Sequence, residues 1–218
     1  MSSALYAIYG TGGCARGIMP LARAMLKIQE VPAEQLVFID DQPGTDHLNG
    51  HAVLSYQAFS EHQAANKYVA LAIADSQVRE TLYNRITADG ISPWSVKADN
   101  VVTMDDVELD AGYLLSPFVC LTSNIRIGRC FHANLHSYVE HDCTIGDYVT
   151  FAPGVKCNGN ITIEDHAYIG AGAVIKQGQP NQPLIIGKGA TVGMGAVVTR
   201  SVPAGATVVG NPAKDIRG

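Results

Sequence analysis

Two rhythms of apolar positions divide the chain. Over the first ninety-odd residues, short apolar runs alternate with amphipathic stretches. "ALYAIY" at 4–9 reads as a buried strand, "GTGGCARG" follows it, and a helical period then runs to about Ile28. "QLVFIDD" at 35–41, "HAVLSY" at 51–56 and "KYVALAIAD" at 67–75 predict further strands, and "SQVRETLYNRIT" at 76–87 predicts a helix capped by Ser76. Strand and helix in alternation make a small parallel α/β sheet. "ISPWSVKAD" at 91–99 reads as a link, which places one domain at 1–95 and a second at 96–218.

Beyond the link the period becomes six. Every sixth residue from Leu109 to Ile175 is apolar, twelve positions in succession. At 47% hydrophobic content, chance would produce that about once in ten thousand. The fifth place of each hexad is mostly aliphatic or small as well, as at Val119, Ile125, Val149, Val155, Ile161, Ala167 and Ala173. The register slips by five across "QGQPNQP" and resumes at Ile186, Val192 and Val198. Neither an amphipathic helix nor a flat strand repeats every six residues, whereas a parallel β-helix does. Gly128, Gly146, Gly170, Gly187 and Gly193 each follow an inward position, where the chain is expected to turn a corner.

Charge and cysteine usage narrow the function. The net charge is −5 and no Lys/Arg run occurs, so nucleic acid and anionic membrane have no electrostatic footprint here. No stretch of eighteen apolar residues exists, and no membrane insertion is expected. The start of the chain lacks the basic flank of a signal peptide. Cys14, Cys120, Cys130, Cys143 and Cys157 contain no C-x-x-C pair and read as free buried thiols in a reducing cytosol.

Candidate chemistry lies at two places. In "SYVEHDCTIGDYVTFAPG" (137–154), Val139 and Cys143 point inward, so His141 and Asp142 face outward at a corner where the core makes no demand for them. Two readings stand: a solvated corner with a turn-stabilising Asp, or an imidazole base held by a carboxylate. Strand geometry alone points adjacent side chains apart, so their contact depends on the corner. The second place, Gly10-Thr-Gly-Gly-Cys-Ala15, satisfies a loose dinucleotide fingerprint with Asp40 and Asp41 ending the next strand. NAD is the generic reading, but the first 95 residues supply about one βαβαβ half, which suits one nucleotide. His132, His136, His141 and His166 raise the question of a metal. His132 and His136 are four apart on a coil rather than a helix and do not face one ligand position, so no metal is expected.

"YGTGGCARG", "FIDD", the Asn134…His141-Asp142 spacing, "KCNGN" and "GNPAK" together resemble one family across the whole chain. It is the left-handed β-helix acyltransferases of the hexapeptide-repeat superfamily, and within them the nucleotide-sugar N-acetyltransferases of the bacillosamine-pathway type. The resemblance implies a Rossmann-like α/β nucleotide-binding domain followed by an all-β left-handed parallel β-helix with eighteen residues per coil. It implies acetyl-CoA as co-substrate, a UDP-4-amino-4,6-dideoxy-N-acetylhexosamine as acceptor, and a UDP-N,N'-diacetylbacillosamine-type product. His141 becomes the general base, Asp142 its orienting carboxylate, and Asn134 a neighbour of the substrate. Thr150, Gly159, Ala171 and Met194 fall at acetyl-CoA contacts, although relatives carry histidine where this chain has Thr150. Gly12, Gly13 and Cys14 would hold the diphosphate, Asp40 and Asp41 the uridine, with Arg16 a candidate counter-charge. Gly159, one coil after His141, reads as clearance for the thioester or as a corner glycine chosen for backbone freedom.

A cytoplasmic homotrimer with sites between subunits completes the expectation, because an outward corner forms no deep pocket alone. Alternatives are a GDP-perosamine N-acetyltransferase, a sialic-acid O-acetyltransferase, and a non-catalytic nucleotide-sugar-binding β-helix.

Overall fold

The computed structural model describes residues 4–216. The chain divides into two compact units, Met1–Lys97 and Ala98–Gly218.

The first unit runs β1 (Ala4–Tyr9), α1 (Gly13–Ile28), β2 (Leu36–Asp40), β3 (His47–Leu48), β4 (His51–Ser55), α2 (Tyr56–Ser60), β5 (Asn66–Leu71), α3 (Ser76–Ala88) and β6 (Ser92–Pro93). The sheet order is β3-β4-β2-β1-β5-β6, with β3 antiparallel to β4 and the remaining pairings parallel. The chain builds outward from β1 through β2 to β4 and then returns to place β5 on the other side of β1. That reversal opens a crevice beyond the carboxyl ends of β1 and β5, where ligands of such sheets bind. Helix α1 buries Ala15, Ile18, Met19, Ala22 and Leu26, one stripe at helical spacing. Two expectations shift here, and one short helix is new. The strand at 67–75 ends at Leu71. Asp75, not Ser76, caps α3, its carboxylate accepting from the Gln77 and Val78 amides at 2.9 and 3.0 Å. Helix α2, five residues long, is too short to show a period.

The second unit is a triangular coil with three parallel sheets as its faces. Face one stacks Val107–Leu109, Ile125–Ile127, Cys143–Ile145, Ile161–Ile163 and Leu184–Ile186. Face two stacks Leu114–Leu115, His132–Ala133, Thr150–Phe151, Tyr168–Ile169, Thr191–Val192 and Thr207–Val209. Face three stacks Val102–Thr103, Cys120–Leu121, Tyr138–Val139, Lys156–Cys157, Val174–Ile175 and Val197–Val198. Partners such as Leu121↔Val139 and Phe151↔Ile169 are eighteen residues apart, and Ile163↔Ile186 absorbs the slip of five. The inward positions from Leu115 onward are almost completely buried and form one continuous core. At the far end Val202 bridges to Ile186, the Ala213 amide donates to Val197, and Lys214–Asp215 pairs antiparallel with Val208 and Val209.

The corners are not turned by the glycines the repeat suggested. Left-handed φ values fall in three columns, one at Asp106, Asn124, Asp142 and Asn160, another at Phe118, His136, Gly154, Gly172 and Gly195. The third runs through Gly112, Cys130, Tyr148, His166, Gly189 and Gly205. Gly128 and Gly146 serve close approach instead: a Cβ there would strike Asp147 and Asp165 of the next coil. The thiol expectation is also corrected in part. All five cysteines are free, but Cys14 and Cys120 are only half-buried. Among the described residues no helix is long and apolar enough to cross a membrane.

Candidate active site

The His141 corner joins face three to face one. Asp142 has φ 58°, a left-handed conformation that Asp tolerates, and this turn brings two adjacent side chains onto one side. His141 Nδ1 lies 2.7 Å from Asp142 Oδ2. One coil earlier in the same column, Asn124 donates its Nδ2–H to Asp142 Oδ1 at 3.2 Å. The hydrogen bond from His141 and then that from Asn124 hold the Asp142 carboxyl below the usual carboxylate range. A charged carboxylate accepts only, so in the neutral ring Nδ1 is the nitrogen that carries the proton and Nε2 the one with the lone pair. The residue that makes the turn is thus also the one whose carboxylate meets the imidazole.

One coil further on, Gly159 lies against the imidazole. A Cβ at 159 would sit 2.6 Å from Cε1 and 2.7 Å from Nε2 of His141, and Gly159 has no left-handed φ. Its missing side chain makes room for the ring itself, which corrects the backbone-freedom reading. The ring remains 42% exposed, so the pair faces outward.

The other residues singled out in the repeat unit lie elsewhere. Asn134, Ala171 and Met194 belong to the His136 corner, between faces two and three. Asn134 is not left-handed; its Nδ2–H donates to the Phe151 carbonyl at 2.7 Å, as Asn158 does to Ile175. The Ala171 carbonyl accepts from the Gly195 amide at 2.8 Å, and Met194 is 82% exposed. Thr150 is a buried residue of face two, paired with His132 and Tyr168. Face two lies opposite the His141 corner. A single chain thus brings His141, Asp142 and Gly159 together and leaves Asn134, Thr150, Ala171 and Met194 apart from them. The histidines scatter too: His132 on face two, His136 stacked on Phe118 at 4.7 Å, His166 stacked on Tyr148 at 5.2 Å. Among the described residues no group of three or more potential ligands could hold a metal.

In the first unit, Gly10 has φ 108° and packs so closely that a Cβ would lie 3.0 Å from Ile73 Cδ1. Gly12 and Gly13 differ, with nothing within 4 Å of where a Cβ would be. Gly12 caps α1 without a side-chain hydrogen bond, so the helix start presents bare amides suited to an anion. Burial pushes the Cys14 thiol up, with Arg79 pulling against it, and the group stays protonated. Asp40 accepts from Thr11 Oγ1 at 2.7 Å and from the Gln42 amide at 3.0 Å. Asp41 accepts from Tyr9 at 2.9 Å and from Arg85 at 2.9 Å, while the Arg85 guanidinium lies 3.6 Å from the centre of the Tyr56 ring. The Arg16 side chain is exposed. Arg79, fully buried, donates to the Ile73 and Ala74 carbonyls at 2.8 and 3.2 Å. The sequence pattern did not single out Arg79, Arg85 or Asn124. Asn124 stands one coil of eighteen residues before Asp142, and that period could have found it; nothing distinguished the arginines from ordinary surface charges of a helix.

Over 213 residues the chain is 50% identical to GDP-perosamine N-acetyltransferase of Escherichia coli O157:H7, covering 98% of this chain and 96% of that protein. It belongs to the hexapeptide-repeat sugar N-acetyltransferases. The acetyltransferase matches the PglD N-terminal domain over residues 6–86 and the hexapeptide repeat of succinyl-transferase over 160–200. Its fold superposes on WeeI from Acinetobacter baumannii AYE with a TM-score of 0.95 at 58% identity, covering 98% of this chain and 100% of that one. The acetyltransferase domain of PglB from Neisseria gonorrhoeae FA1090, solved with acetyl coenzyme A, shares the fold at a TM-score of 0.83 and 23% identity, covering 98% and 100%.

Proposed function

We propose that the chain transfers the acetyl group of acetyl-CoA directly to the 4-amino group of a nucleoside-diphosphate-linked 4-amino-4,6-dideoxyhexose. The observation that carries this is the His141 ring with Nδ1 committed to Asp142 and Nε2 left free at an exposed corner. The amine nitrogen attacks the thioester carbonyl and its proton passes to Nε2 as the C–N bond forms. The C–S bond then breaks, and the coenzyme leaves as a thiol that takes up that proton. Asp142 stabilises the imidazolium in between, and Asn124 holds Asp142 in place. No acyl-enzyme is needed.

Gly12, Gly13 and Cys14 take the diphosphate, the two glycines because their open faces allow backbone to approach it closely. Asp40 and Asp41 take the nucleoside. Asn134, Thr150, Ala171 and Met194 contribute from a neighbouring chain of a homotrimer, since on one chain they lie away from His141. The acetyl-CoA in the PglB domain supports the donor. A cytoplasmic location is the reading that such a donor supports.

For the acceptor, a UDP-4-amino-4,6-dideoxy-N-acetylhexosamine is the first reading. GDP-perosamine is the second, favoured by the name of the Escherichia coli relative. Purified protein with acetyl-CoA and a panel of UDP- and GDP-linked 4-amino sugars, followed by free thiol release, decides between them. Thiol release that no amino sugar stimulates would overturn both.

A further inference from the structure

Helix α1 starts at the bare amides beside Gly12 and Gly13 and ends at a cavity that neither candidate site uses. There Leu26, Val31, Pro32, Ala33 and Leu36 line a pocket of about 360 Å³ between the last helical turn and the start of β2. The helix carbonyls at this end are already taken. That of Leu26 accepts the Gln29 and Val31 amides at 3.1 and 3.0 Å, and that of Lys27 accepts from Glu30 at 3.2 Å. At 1.5 Å per residue the two ends of α1 stand about 22 Å apart, and β2 separates Leu36 from Asp40 by about 13 Å. The pocket is therefore distinct from the nucleotide crevice.

Three charged side chains, Arg23, Lys27 and Glu30, complete its lining. Arg23 is held in an informative way. His51, only 6% exposed at the start of β4, has Nδ1 3.0 Å from the Leu36 carbonyl and Nε2 3.4 Å from Arg23 Nη1. A carbonyl only accepts and a guanidinium only donates, so Nδ1 carries the proton and Nε2 turns its lone pair to Arg23. A neutral acceptor thus steadies the guanidinium and leaves its charge uncancelled. Lys27 follows four residues later on the same helical face. Among the described residues neither forms an ion pair, whereas Arg85, Arg126, Arg129 and Lys188 each face a carboxylate. With Glu30 counted against the two cations, the lining keeps one net positive charge in a chain of net charge −5.

An apolar floor with surplus positive charge beside it suits a guest that has an apolar body and one anionic head. A sugar fits poorly, because its hydroxyls would lose water and find few partners on the floor. A bare phosphate fits poorly too, because it would leave the apolar floor in water. The helix C-terminus itself disfavours an anion, so the head belongs at the two cations on the helix flank rather than on the axis. We propose that this pocket binds a medium-length alkyl carboxylate, its chain against Leu26, Val31 and Leu36 and its carboxylate between Arg23 and Lys27. The ligand lies apart from the acetyl-transfer chemistry and is compatible with nucleotide and coenzyme bound at the same time.

The test is calorimetry on the full chain with octanoate and its neutral counterpart octan-1-ol. Wild type should bind octanoate at one site per chain, and octan-1-ol at least about 10-fold more weakly. The Arg23→Gln/Lys27→Gln double variant removes both charges, while the new amide at 23 can still donate to His51. It should lose roughly 10- to 100-fold in octanoate affinity and leave octan-1-ol affinity unchanged. Ala33→Trp fills the pocket from an exposed position and should abolish octanoate binding with a melting temperature near wild type. Saturating UDP, GDP or CoA should not displace octanoate. Equal affinity for the two probes, undiminished octanoate binding in either folded variant, or displacement by a nucleotide or CoA overturns the proposal. So does an absence of octanoate binding up to about 10 mM.

Discussion

At the scale of single residues, His141 is oriented by three neighbours: Asp142 beside it, Asn124 behind Asp142, and the bare Cα of Gly159 against the ring. His141→Ala is expected to lower kcat by about two to four orders of magnitude, the usual worth of a general base. Single-turnover measurement of thiol release checks this, and near wild-type turnover would refute the assignment. Gly159→Ala makes a subtler demand. Its Cβ would overlap the imidazole, so the ring must swing away and give up its 2.7 Å bond to Asp142. We expect a loss of roughly 100-fold in kcat, the cost of misplacing a reacting group by about an ångström. A melting temperature close to wild type would separate this effect from unfolding. The pair was legible in the sequence because a histidine and a carboxylate stood where the repeat needed neither. The turn that joins them was not, because a left-handed φ at Asp142 belongs to backbone geometry, and the repeat marks only which residues face inward.

At the scale of elements, the coils are stitched by carboxylates at the Tyr148 corner. Asp147 Oδ1 accepts the Arg129 amide at 2.7 Å and Oδ2 its Nε at 3.0 Å, while Asp165 accepts the Asp147 amide at 2.9 Å. Burial pushes the Asp147 carboxyl up, but the Arg129 side chain and amide outweigh it and the group titrates below the usual carboxylate range. A carboxyl lowered by folding adds stability above its unfolded value of about 3.9 and loses it as pH falls through the lower folded value. Asp147→Asn should therefore reduce unfolding free energy by about 1–2 kcal/mol at pH 7, with solvent screening favouring the lower figure. Denaturant titrations across pH should show the gap closing below about pH 4; a gap that persists there would contradict the ion pair. These carboxylates also explain why the sequence misled at Gly128 and Gly146. A repeat shows that glycine recurs, and close approach by a neighbouring coil recurs with the same period as a turn.

At the scale of the whole molecule, the residues split between two corners carry the assembly prediction. If His141 of one chain works beside Ala171 and Met194 of the next, every active site needs two chains. His141→Ala and Ala171→Glu proteins, each inactive alone, should regain activity when unfolded together and refolded. Random mixing leaves about a quarter of the sites with both native corners. Recovery of no activity in hybrids confirmed by mass would place the site on one chain. The two-unit layout and the coil were readable from apolar spacing alone, since a period of six has few physical realisations. How far the coil runs is decided at its far end. A stack of parallel rungs has no length of its own, and its last rung offers open amides and carbonyls to any strand running the same way. Here the closing rung, Lys214–Asp215, runs against the grain of Thr207–Val209, and Ala213 occupies the Val197 carbonyl. A chain ending at Val209 should consequently grow end to end into filaments visible by electron microscopy, because what the reversed rung supplies is a stop to polymerisation.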